Sequence, residues 1–108
     1  MDQQLIRQGD VLVVPVDAIP AAAKPVERDA GRVVLAYGEI TGHAHAIVAP
    51  EATLLSVSEN ERFLRIVGSA PVTLAHEEHS AIAIAPGEYR VIRQREWTDE
   101  DEPRAVAD

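Results

Sequence analysis

All four histidines of this 108-residue chain fall in two short segments, Gly42-His43-Ala44-His45 and His76-Glu77-Glu78-His79. Imidazole is the side chain best suited to hold a transition metal or to move a proton near neutral pH, so chemistry is most readily placed here. His43 and His45 are two residues apart. On a strand that spacing sends both rings to one face, roughly 7 Å apart along the chain, where they can chelate one ion. Ala44 adds little bulk to the opposite face, and Gly42 allows a close backbone approach. His76 and His79 are three apart and cannot share a face of one straight strand. The flanking residues 72–75 and 81–84 read as hairpin partners. With Glu77-Glu78 as a two-residue loop, His76 and His79 would face each other with Cβ atoms about 5 Å apart. Glu-Glu is poor chemistry for such a turn, which favours Asn or Gly at positive φ, and a bound ion would offset the strain.

His43, His45, His76 and His79 are therefore read as one site for a divalent metal. Glu39, Glu77 and Glu78 are the nearby carboxylates, available as ligands, as partners that fix a histidine tautomer, or as general base on a metal-bound water. The chain has no cysteine, which excludes thiolate ligands and disulfides. Imidazole with carboxylate suits Zn, Fe, Mn, Ni or Cu. An open coordination position would make the site a small-molecule metalloenzyme, compatible with hydrolysis, isomerisation or oxygen chemistry. Four imidazoles on one ion would close a tetrahedral site and give it a structural or sensing role. The competing reading is a solvated hairpin tip whose glutamates favour protonated imidazole. The cluster would then respond near pH 6.5 on a non-catalytic, acidic protein-interaction module of phage or accessory type.

Bringing together two segments so far apart in sequence requires a fold with long-range pairing. Hydrophobic residues make up 46% of the chain, but only one Phe, one Trp, two Tyr and one Met are among them. A core of Val, Ile, Leu and Ala suits pleated sheet. Residues 11–16 form an apolar run on both faces, as expected of a central, doubly covered strand, with Pro15 at its end or at a bulge. Further strands are expected at 32–37, 43–49, 53–57, 63–67, 71–75, 80–85 and 88–97, separated by turn signals such as Pro50-Glu51, the polar tip at 58–61 and Pro86-Gly87. Residues 17–30, with Pro20 and Pro25, read as a long connection. The pattern predicts an all-β domain of about eight short, mainly antiparallel strands, a small barrel or sandwich over residues 1–97. An acidic tail follows at 98–108, mobile or laid on a neighbouring subunit.

The net charge of −8 argues against a nucleic-acid binder that works by neutralising phosphate. No stretch is long and apolar enough to span a bilayer, so no membrane is expected and the cytoplasm is the default compartment. So small a domain buries a modest core, which favours a homo-oligomer; a small-molecule ligand or a protein partner fits the two functional readings.

Gly42-His43-Ala44-His45 is similar to the His-x-His of the first cupin motif, and residues 9–15, Gly-Asp followed by an apolar run and Pro, resemble cupin strands. The resemblance implies a metal-holding β-barrel and carries over to His43 and His45 alone. Glu51 lies farther beyond His45 than the cupin glutamate does, and Pro86-Gly87 follows the last histidine where the second motif places it before.

Other polar residues read more plainly. Asp10, after Gly9, is a turn residue. Tyr37 is a core residue with its hydroxyl at the rim. Arg90, Arg93, Arg95 and Trp97 form a small exposed patch with ion pairs to nearby acids. No nucleophile elbow, P-loop or dinucleotide-binding glycine pattern is present.

Overall fold

The computed structural model describes residues 5–38, 40 and 42–93. The expectations for Glu39, Arg95, Trp97 and the acidic tail lie outside the described residues, as does the far end of the last strand. Ten strands and no helix are found among those described: β1 (Ile6–Gln8), β2 (Val11–Pro15), β3 (Lys24–Pro25), β4 (Val33–Tyr37), β5 (Ala44–Ile47), β6 (Ala52–Ser58), β7 (Glu61–Ile66), β8 (Val72–Leu74), β9 (Ile82–Ile84) and β10 (Gly87–Arg93). All paired strands are antiparallel. The two beyond the expected eight are β1, ahead of the first expected strand, and β3, two residues inside the long connection. β1 is polar because it serves the site described below.

Six strands form one sheet in the order β1-β2-β10-β7-β6-β3. The second layer consists of two hairpins, β4-β5 and β8-β9, joined by a single antiparallel bridge between Ala46 and Ala75. The layers approach at β1 against β9 and at β4 against β6, but among the described residues no ladder closes them into a barrel. The architecture is a small sandwich, and the closed barrel implied by the cupin resemblance is not formed.

The core fills the space between the layers. Val11 and Val13 of β2, Leu54 and Leu64 of β6 and β7, and Tyr89 and Val91 of β10 meet Leu35, Ile47, Leu74 and Ile84 from the opposite layer. Each such side chain contributes about 1.5–3 kcal/mol on burial. The Tyr89 hydroxyl donates to the Ala85 carbonyl at 2.6 Å, which lets a phenol lie fully buried. Leu12 is also buried, at 6% exposure, although it faces away from Val11 and Val13. β2 is therefore covered on both faces, as its unbroken apolar run predicts.

At one end of the sandwich the aliphatic pattern gives way. Gln8 lies across from Val11, and Val11 across from Arg93, so a single cross-strand row runs over β1, β2 and β10. Gly9, with φ of 59°, opens the two-residue turn between β1 and β2, a position that favours glycine. Asp10 is the second residue of that turn. This end of the large sheet faces the histidines.

Candidate functional site

The histidines converge because of the Ala46–Ala75 bridge. Ala46 N–H donates to the Ala75 carbonyl at 3.0 Å, and Ala75 N–H returns the bond at 2.9 Å. Carrying that antiparallel register outward sets His45 opposite His76, Ala44 opposite Glu77, and His43 opposite Glu78. The contacts follow this order. The His45 and His76 ring centroids are 4.3 Å apart. Glu77 Oε1 accepts from Ala44 N–H at 2.9 Å, and His43 Nδ1 lies 3.8 Å from Glu78 Oε2. His76 is the hub, with His79 at 4.8 Å and His43 at 5.6 Å between centroids; His45 and His79 are 6.0 Å apart.

The expected tight turn at Glu77-Glu78 is not formed. β8 ends at Leu74, paired with Ile82, so the connection spans residues 75–81. Glu-Glu disfavours the positive-φ turn that a shorter loop demands. The longer loop is tied down instead by the Glu77 contact and by Glu78 N–H, which donates to His76 Nδ1 at 3.0 Å. His76 and His79 still come together, as neighbours on a loop rather than as a cross-strand pair.

Burial grades inward. His45 is fully buried and His76 is 9% exposed, whereas His43 and His79 are half-buried at the rim. His45 holds a fixed tautomer. The Gln8 side-chain amide donates to the Leu74 carbonyl at 3.0 Å and to the Ser80 carbonyl at 2.9 Å. Both of its protons are thereby used, and its oxygen lies 2.8 Å from His45 Nδ1. That oxygen can only accept, so Nδ1 carries the proton and Nε2 presents a lone pair. Among the described residues, His45 Nε2, His43 Nδ1 and His79 Nε2 are buried atoms with no hydrogen-bond partner. Burial and the neighbouring His76 push the His45 pKa down from 6.5 to about 4, against the opposing pull of Asp10. The ring stays neutral at physiological pH, as a metal ligand must. The Ala44 N–H bond holds the Glu77 carboxyl below its ordinary pKa, which favours its anionic form.

Three polar residues belong to this corner that sequence reasoning assigned elsewhere or passed over. Asp10 is the turn residue expected, but it is also fully buried; Arg93 Nε donates to its Oδ2 at 2.9 Å, and its Oδ1 lies 3.6 Å from His45 Nε2. Arg93, placed on an exposed patch by its sequence context, also donates to the Tyr37 carbonyl at 2.7 Å. Gln8 drew no attention at all. The usable signal was alternation: 89, 91 and 93 share one face of β10, so Arg93 follows Tyr89 and Val91 inward. Tyr37 is 54% exposed rather than in the core, and its hydroxyl bonds Asp29.

Metal-competent geometry is explicit for part of the set. His43, His76 and Glu77 each offer a ligand atom, and the three atoms lie within 4.8 Å of one another. The donor chemistry, imidazole and carboxylate, fits a borderline divalent ion. His76 fits on one condition. Its Nδ1 accepts the Glu78 amide, so its neutral ring carries the proton on Nε2, and ligation through either nitrogen displaces a proton or that amide. A depression of about 250 Å³, lined by Arg32, Ala46, Val48, Ala75, His76 and Glu77, opens beside the cluster and gives it access to solvent.

Over residues 7–94 the chain matches the model of a family described as a domain of unknown function, DUF8820, and it belongs to that family. No curated protein and no solved structure matches it. No helix among the described residues is long and apolar enough to cross a membrane.

Proposed function

We propose that this member of the DUF8820 family binds one divalent transition metal through His43, His45, His76 and His79, with Glu77 and Glu78 at the rim. The observation that carries the reading is the buried, partnerless Nε2 of His45, whose lone pair is fixed by Gln8 and whose ring is held neutral. A solvated histidine cluster would need neither the burial nor the fixed tautomer. Metal-bound water beside Glu77 or Glu78, reached through the opening at Arg32, would be the reactive group if the site is catalytic, with the carboxylate as proton acceptor.

The second reading, a non-catalytic interaction module, draws on a different surface. A groove of about 580 Å³ runs where β5 and β8 diverge beyond the Ala46–Ala75 bridge, with Val48 and Val67 exposed along it. A protein partner or a second copy of the chain would lie there.

Elemental analysis of untagged protein separates the two. The metal reading expects about one Zn, Fe, Mn, Ni or Cu per chain, and a ratio below one tenth in His45→Ala and in His76→Ala. A negligible ratio in the wild-type protein, after growth in metal-supplemented medium, overturns it in favour of the interaction module.

A further inference from the structure

We propose that Asp10 is a direct ligand of the metal, paired with His45 at the closed end of the cluster, a proposal that rests on the histidine reading above. Both groups are fully buried. Their facing atoms, Asp10 Oδ1 and His45 Nε2, are 3.6 Å apart, beyond hydrogen-bond length. The Gln8 network leaves Nε2 without a proton, so it has none to donate to the carboxylate and presents its lone pair there. A carboxylate oxygen and an imidazole lone pair so disposed can both bind one cation held between them. Two ligand atoms each about 2.1–2.2 Å from one ion, and 3.6 Å from each other, subtend about 110–120°, which suits two equatorial positions of the five-coordinate site that Asp10 and the four histidines would make.

The surroundings hold the pair in this posture. Arg93 binds the other carboxylate oxygen and is itself fixed by the Tyr37 carbonyl. Arg93 and Gln8 are thus positioning residues, one for each ligand, on opposite ends of the cross-strand row that backs the site. Orienting ligands through their second donor atom is the usual way proteins set a metal site. The carboxylate shifts the site away from soft ions. A mixed nitrogen–oxygen set favours Zn(II), Fe(II) or Mn(II) over Cu(I), and it adds a negative charge that imidazoles alone lack.

The test is zinc titration of the full chain, wild type and Asp10→Asn, followed by calorimetry. It is paired with the carbon-13 spectrum of wild-type protein labelled at aspartate carboxyls. Asp10→Asn keeps the side-chain shape and is expected to weaken zinc binding about 100-fold. In the wild type, one buried aspartate carboxyl resonance, absent from the variant, is expected to move on zinc addition. Should the variant fail to fold, the wild-type resonance decides alone, assigned to Asp10 through its correlation with the Asp10 backbone amide. Zinc uptake with that resonance unmoved, or with wild-type affinity in Asp10→Asn, overturns Asp10 ligation and leaves the histidine site standing. A wild-type chain that takes up no zinc overturns both.

Discussion

The space between the two layers contains two regions built on opposite terms. Around Leu35, Leu64, Leu74 and Ile84 the buried side chains are aliphatic apart from Tyr89, whose hydroxyl bonds the Ala85 carbonyl. Such packing is tolerant in chemistry and demanding in volume. At the end of the sandwich, Gln8, Asp10, His45 and His76 are equally buried but polar. There, volume matters less than where each proton sits. The aliphatic region needs only that its residues be apolar and fit. The polar corner needs Gln8 to spend both amide protons on carbonyls, Arg93 to bridge to Asp10, and one backbone bridge to bring His76 to His45. The first region stabilises the fold at any pH; the second ties the fold to pH.

The largest expected effect lies on the aliphatic side. Leu35→Ala empties a fully buried site and should cost about 2–5 kcal/mol of unfolding free energy. Urea denaturation should show the same loss at pH 7.5 and pH 5, with an unchanged metal ratio in the protein that remains folded. A loss that varies with pH would mean that the two regions are not separable.

On the polar side the next effect is a titration. Folded His45 takes up its proton only near pH 4, whereas the unfolded chain does so at 6.5. Between those values the unfolded state holds more protons, so stability is full above pH 6.5, falls as pH is lowered through the window, and levels off below about 4. The shift corresponds to roughly 3 kcal/mol. Carboxylates elsewhere in this acidic chain also titrate toward the lower end of the window, so the comparison is made with His45→Gln. The metal-free variant should lack that share of the decline between pH 7 and pH 4.5. Identical slopes in the two proteins would refute a neutral His45.

How much of this was legible in sequence follows the same division. Periodicity and branched aliphatics are local signals of a sheet core, and they led to an all-β fold with β2 covered on both faces. The histidine spacings pointed to one cluster, and the four rings do lie together. What was hidden is long-range. Nothing near Asp10 in sequence says that Arg93 binds it, and nothing near Gln8 says that it orients His45. Polar residues were judged as surface by type, and only the register across β1, β2 and β10 turns them inward. The residues 75–81 were drawn too tight because loop length was inferred from an apparent symmetry of flanking strands, whereas the register is set by Leu74 against Ile82.

The smallest expected effect tests how the corner is wired. Gln8→Leu keeps the side-chain volume close and removes three hydrogen bonds at once. The Leu74 and Ser80 carbonyls lose their donor, and the His45 Nδ1 proton loses its acceptor. The Ser80 carbonyl lies on the 75–81 connection beside an exposed residue, so water can replace its donor and the cost should stay near the low end of about 1–3 kcal/mol. The effect on the ring should be sharper than the effect on stability. Without an acceptor at Nδ1, the proton is free to move to Nε2, the atom that faces Asp10. Nitrogen-15 spectra of metal-free protein should show His45 as a single Nδ1–H tautomer in the wild type and as a mixture in Gln8→Leu. Zinc affinity should fall about 10–100-fold, the usual cost of losing a residue that orients a ligand. A wild-type ring already mixed between tautomers would show that Gln8 packs against the corner without wiring it, and the line between the two regions would have to be redrawn with Gln8 on the aliphatic side.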